Sequence, residues 1–144
     1  MGVIIVGGVL KKDGKYLLVQ EAKEKCRGKW NLPAGRLEPN ETIFDGAKRE
    51  IYEECGYEVK LTGVSHIANR VIPDNEFISI IFSTEVIGGE IKYNPDEILD
   101  VKWFSYDEIM NMHDELRTYD LITNAITSVE NNQEGNIELI KIIK

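Results

Sequence analysis

Cysteine is scarce. Cys26 and Cys55 are the only two in the chain. They form no CxxC pair, so a disulfide framework is excluded and both read as free thiols of a reducing compartment. Histidine is as sparse, with His66 and His113 far apart in sequence. That spacing offers no zinc site. Proline occurs four times and never concentrates into a linker. No apolar run reaches the ~20 residues that a membrane span needs. Met1-Gly2-Val3-Ile4-Ile5-Val6 is apolar but lacks a basic segment and a cleavage site, so a signal peptide is not expected. Gly2 invites myristoylation, yet Val6 stands where Ser or Thr is wanted. The expectation is a cytoplasmic protein with no membrane partner. Positive charge is in deficit too: 17 Lys and Arg against 25 Asp and Glu leave a net charge of -8. A general nucleic-acid binder needs a basic face, so that class is disfavoured. A small anionic substrate would also be repelled unless a cation neutralised part of its site.

What is present is an ordinary globular composition, 42% hydrophobic and 29% charged over 144 residues. With no repeat or linker, residues 1–144 read as one domain. Val3–Leu10 predicts a buried strand. Lys11–Lys15, centred on Asp13-Gly14, predicts a hairpin turn into a returning strand at Tyr16–Gln20. Glu21–Lys29 reads as a polar loop, and Trp30–Pro33 as a short extended piece. A helix is expected over Thr42–Cys55, capped by Thr42 and stopped by Gly56. Strands follow at Glu58–Ala68 and Glu76–Val86 around Pro73-Asp74-Asn75, with a second turn at Gly88-Gly89 and a strand at Ile98–Phe104. Ser105 with Glu108 opens a short helix, and Thr118–Glu130 carries a helical apolar stripe. Ile137–Ile143 reads as a last strand. The irregular alternation of strands and helices indicates an α/β (α+β) class, a mixed sheet with helices on its faces.

The informative stretch is the first long helix. Glu50, Glu53 and Glu54 stand at i, i+3 and i+4 and share an arc of about 100°. Ile43, Phe44, Ala47, Ile51 and Cys55 fill the adjoining arc, which faces the core. The three acids therefore lie at the edge of the buried face. Like charges at that spacing repel, and near a core they need a counter-charge. A solvated acidic face is one reading. The flanking residues favour another: Gly35 and Pro33 constrain the preceding loop, Glu41 adds an acid, and Arg49 brings a planar fork that can hold carboxylates. Hard oxygen donors in this number suit Mg²⁺ or Mn²⁺, the former usually completed by water and substrate phosphates.

The pattern Gly35-x5-Glu41-x7-Arg49-Glu50-Ile51-x-Glu53-Glu54-x-Gly56-Tyr57 resembles the Nudix box. Every fixed position matches; Tyr57, in the last aliphatic slot, is the one departure. The lead-in Trp30-Asn31-Leu32-Pro33-Ala34 is similar as well. The resemblance implies an α/β/α sandwich around a mixed sheet, and hydrolysis of a nucleoside diphosphate linked to another group. It implies Glu50, Glu53 and Glu54 as ligands of Mg²⁺ or Mn²⁺, joined by the Gly35 carbonyl. Arg49 would orient them and Glu41 support them from behind. It further implies an acid outside the box as ligand or base. Glu97, shortly before Trp103-Phe104, is the candidate, with Asp96 its nearest substitute.

A pyrophosphate is negative all round, so hydroxide attack needs metal neutralisation and a lowered water pKa. Arg27, Lys29 and Arg36 flank the box and are the candidates for substrate phosphate, with ordinary loop charge the plain alternative. The leading substrate is a nucleoside tri- or diphosphate, oxidised forms included. An ADP-sugar such as ADP-ribose is the alternative, hinted at by Pro73. A catalytically silent nucleotide-binding module is a third class, disfavoured because no box glutamate is lost. The apolar run Ile137–Ile143 should pair with its own sheet or with a second copy, and the resemblance points to a homodimer.

Overall fold

The computed structural model describes residues 2–144; Met1, which opens the apolar N-terminal run, lies outside them. The apolar N-terminal run forms β1 (Gly2–Val9). The chain then turns tightly. Asp13 (φ 51°) and Gly14 (φ 76°) both adopt left-handed backbone, as a two-residue hairpin turn demands. They join β2 (Lys11–Lys12) to β3 (Lys15–Glu21), with Lys12 opposite Lys15. The expected turn is therefore present, but β3 does not return along β1. Instead β1 runs parallel to β7 (Asn75–Gly89) and antiparallel to β5 (Ala34–Arg36). The first sheet has the order β5-β1-β7-β6, where β6 is Tyr57–Ile72. In the second, β3 pairs with β2, with β4 (Trp30–Asn31) and with β8 (Ile98–Ser105).

Residue alternation in β3 explains the layers. Tyr16 and Leu18 pack on the side of α2 (Tyr106–Met110) and α3 (Tyr119–Glu130), among Ile109, Ile122 and Ile126. Leu17 and Val19 pack on the opposite side, among Ile51 and Cys55 of α1 (Ile43–Cys55). All four strand residues are fully buried, so β3 reads as a continuous apolar run. Truncating Leu17 to alanine would cost about 2–5 kcal/mol. The result is an α/β/α sandwich with a mixed sheet. No helix is long and apolar enough to cross a membrane among the described residues.

The helix signals hold. Thr42 Oγ1 accepts the Asp45 N–H at 3.1 Å, and the helix ends at Gly56 with φ 86°. Ser105 and Glu108 form a full capping box on α2. Four expectations are corrected. Glu21 belongs to β3 rather than to a polar loop, and it is buried. The long hairpin reaches further than its apolar core, so Gly88 and Gly89 pair with Glu58 and Tyr57 instead of forming a turn. Glu53 leaves the edge of the buried face for solvent, as described below. The run Ile137–Ile143 is not a strand. The Asn136 side chain accepts the Glu138 N–H at 2.9 Å and winds Ile137–Leu139 into a single 3₁₀ turn. Just before it, Gly135 exchanges two backbone hydrogen bonds with Val64 on the edge of β6, and the chain then peels away. Ile137 and Ile140 pack against the cluster of Val6, Ala47 and Phe82, while Leu139 and Ile143 stay exposed.

Candidate functional site

The acids of α1 meet the loop–strand segment Pro33–Glu41, and one arginine organises them. Arg49 Nε donates to Glu41 Oε2 at 2.8 Å, and Nη2 donates to Glu41 Oε1 at 2.7 Å, a two-bond fork. Nη1 donates to Glu50 Oε1 at 2.8 Å and to Glu53 Oε2 at 3.2 Å. Nη2 also reaches the Arg36 carbonyl at 3.1 Å. The fork holds Glu41 at about 2, well below the ordinary carboxylate, with the Glu38 N–H assisting. Glu41 in turn drives the Arg49 guanidinium further up.

The three clustered glutamates occupy three environments. Glu54 is buried, and its Oε1 accepts the Ala34 N–H at 2.9 Å. Burial pushes its carboxyl well above the ordinary value, the Ala34 N–H opposes that, and the charges of Glu21 and Glu50 add to it. Glu50 is half-buried and also raised by desolvation, with Arg49 offsetting part of the rise. Glu53 is not at the buried edge: half of its side chain is in water, and Arg49 is its ion-pair partner. Gly35 is a glycine for a steric reason. A Cβ there would lie 2.2 Å from Glu50 Oε2, so a side chain would displace the carboxylate.

Among the described residues no three His, Cys, Asp or Glu side chains converge as a ready-made metal cage. The hydrogen bonds explain this. Arg49 draws Glu50 and Glu53 toward Glu41, and Glu54 turns toward Ala34. The donor set nevertheless fits a hard divalent cation. Two desolvated carboxylates with raised pKa values are held at one helix face, and a cation favours their ionised forms. Mg²⁺ takes one or two carboxylates and fills the rest of its shell with water and phosphate, so a full protein cage is not required.

The other sequence candidates are scattered. Arg27 Nη1 donates to the Ala22 carbonyl at 3.0 Å, and Lys29 Nζ donates to the Asp114 carbonyl, so both are tied to backbone. Arg36 is exposed, and its carbonyl serves Arg49. Glu97 is exposed on the turn before β8, and its carbonyl accepts the Ala22 N–H at 3.0 Å, which stitches that turn to the end of β3. Two charged residues near the acids were not singled out from the sequence. Glu21 is buried, and Lys23 sends its field to both Glu50 and Glu54. Alternation would have found Glu21: Leu17, Val19 and Glu21 fall on one face of β3, the face toward α1. A cavity of about 530 Å³ lies away from this cluster, between Phe44, Lys48, Lys60, Ile137 and Ile142.

The model of the NUDIX domain matches residues 1–123. The 8-oxo-dGDP phosphatase NUDT18 of Homo sapiens is 29% identical over 140 residues, which cover 95% of this chain and 42% of that protein. The ADP-ribose pyrophosphatase of Methanocaldococcus jannaschii is 38% identical over 96 residues, 65% of this chain and 56% of that protein. The chain thus spans 42% and 56% of the length of these two relatives. Among solved structures, a NUDIX hydrolase from Nitrosomonas europaea superposes with a TM-score of 0.85 at 27% identity, covering 99% of this chain and 98% of that one.

Proposed function

Because this chain belongs to the NUDIX family, we propose that it is a divalent-cation-dependent hydrolase cleaving the pyrophosphate bond of a nucleoside diphosphate derivative. The observation that carries this is the Arg49 hub. One guanidinium holds Glu41 with two bonds and gathers Glu50 and Glu53, while Glu54 sits buried beside them under Ala34. A surface acidic face needs none of that organisation.

In this reading Glu50, Glu53 and Glu54 hold Mg²⁺ or Mn²⁺ with the Gly35 carbonyl. The bound cation neutralises the diphosphate and acidifies an attacking water. Arg49 keeps the like-charged glutamates together, and Glu41 keeps Arg49 in place. Glu97, exposed on its turn and unengaged by any cation among the described residues, serves as the acid outside the box that accepts the water proton. Arg36, and less readily the backbone-tied Arg27, meet substrate phosphate. Residues 1–144 act as one domain, and the two free thiols support a reducing, cytoplasmic setting.

For substrate, a nucleoside di- or triphosphate with an oxidised base is favoured, supported by likeness to the human 8-oxo-dGDP phosphatase over 95% of the chain. ADP-ribose is the second reading, supported by the higher identity, 38%, to the archaeal ADP-ribose pyrophosphatase. The test is product release from 8-oxo-dGDP, dGTP, dGDP and ADP-ribose with Mg²⁺, Mn²⁺ or EDTA. The expected outcome is cation-dependent cleavage of one class, abolished by EDTA. Full activity in EDTA would overturn the metal role, and binding without cleavage would leave a silent nucleotide module.

A further inference from the structure

Glu21 and Glu54 are the two acidic side chains fully buried among the described residues. The box accounts for Glu54 and not for Glu21. The Glu21 carboxylate, 3% exposed, accepts from Asn31 Nδ2 at 3.3 Å and lies 3.9 Å from Cys26 Sγ. Among the described residues its one cationic partner is Arg117, whose Nη1 stands 3.8 Å away. A buried carboxylate near a second acid is unfavourable unless it is paired, and one short segment serves both acids here: Asn31 Nδ2 donates to Glu21 and, three residues on, the Ala34 N–H donates to Glu54. Its presence there calls for a task.

Arg117 suggests the task. Its backbone is fixed to β4: the Arg117 N–H donates to the Trp30 carbonyl at 2.9 Å, and Leu116 bridges to Trp30. Its side chain is 42% exposed and makes no second ion pair or side-chain hydrogen bond among the described residues. Arg49 is saturated by carboxylates, and Arg27 and Lys29 are tied to carbonyls. Arg117 is therefore a guanidinium at ion-pair distance, 3.8 Å, from a buried acid, with its donors to spare among the described residues. A planar fork of this kind suits phosphate oxygens.

We propose that Glu21 is a positioning residue that holds the Arg117 guanidinium at the rim of the acidic site, where Arg117 binds a phosphate group of the substrate. This rests on the nucleotide-hydrolase reading above. The test combines steady-state kinetics on the substrate that wild type cleaves with calorimetric binding of α,β-methylene-ADP and of adenosine in Mg²⁺. Arg117→Ala should raise KM and the methylene-ADP Kd by about tenfold or more, with the loss falling on KM rather than kcat. Binding of adenosine, which has no phosphate, should not respond. Arg117→Lys should recover part of the affinity. Glu21→Gln, which keeps size and the Asn31 contact, should raise KM in the same direction, and Glu21→Gln/Arg117→Ala should bind no worse than Arg117→Ala alone.

Arg117→Ala with unchanged KM and Kd would overturn the proposal while wild-type cleavage left the hydrolase reading standing. Additive losses in the double variant, or a Glu21→Gln change in melting temperature with no change in KM, would make Glu21 merely structural and overturn it as well. If wild type cleaves nothing, the hydrolase reading fails and the methylene-ADP titration still reads Arg117. If wild type neither cleaves any of these substrates nor binds methylene-ADP at millimolar concentration, both fall.

Discussion

Burial divides the three clustered glutamates more sharply than sequence spacing does. Glu54 bears the largest desolvation, and its folded carboxyl lies well above the ordinary value of 4.5. A carboxyl raised on folding binds protons more tightly in the native state, so its ionisation costs stability as pH rises past 4.5. That cost is present at neutral pH and vanishes as pH falls back toward the ordinary value. Glu54→Gln removes it. We expect the variant, without cation, to melt higher than wild type at pH 7 and to converge with it in acid. If Glu54 is the proposed metal ligand, the same change should lower kcat at least about a hundredfold, because a ligand charge is gone. Mg²⁺ should also raise its melting temperature less than that of wild type. A wild-type kcat and wild-type metal response would reduce Glu54 to a buried structural acid. The gathering of carboxylates around Arg49 was legible, because a planar fork among acids at these spacings is their natural counter-charge. The solvent exposure of Glu53 was not: a wheel gives an angle, and Arg49 then pulls the side chain outward.

At the scale of elements, legibility followed local signals. The helix over Ile43–Cys55, its Thr42 cap, the Asp13-Gly14 turn and the Ser105 capping box are short-range and were readable. The pairing of β1 with β7, parallel and more than seventy residues apart, has no local signature. The burial of Glu21 does have one, the alternation of β3, but a charged residue after an apolar run reads first as a strand end. The C-terminal run failed for a related reason. Its composition is strand-like, but Asn136 offers a local hydrogen bond that wins. Its apolar residues divide, with Ile137 and Ile140 packed inward and Leu139 and Ile143 outward. Truncation after Asn136 should therefore cost about 1–3 kcal/mol, read as a lower melting temperature, since two half-buried isoleucines leave the cluster of Val6, Ala47 and Phe82. Leu139→Ser with Ile143→Ser should leave stability unchanged. An unaltered melting point on truncation would refute the inward packing, and light scattering on the same samples would reveal any second copy held by Leu139 and Ile143.

For the whole molecule, the net charge of -8 and the acid cluster pose one problem at two ranges. At long range, the nucleotide proposed above would approach a negative protein, so its capture should strengthen as salt screens the field or as Mg²⁺ pairs with the phosphates. At short range, four carboxylates stand within reach of a single guanidinium: Glu38, Glu41, Glu50 and Glu53. That guanidinium relieves their repulsion before any metal arrives. Full chelation should accordingly leave a cooperative unfolding transition, only modestly lower than with Mg²⁺; collapse to an unfolded chain in EDTA would contradict this.

Arg49 would thus make a bound metal a tenant rather than a founder. Where folding waits for its ion, as in small zinc domains, the protein is either loaded or lost. Here the scaffold stands ready with its acids already reconciled to one another, and the proposed ion could come and go with the nucleotide proposed to escort it. Throughput would then follow the free cation from moment to moment, and an interval of scarcity would idle the protein without destroying it.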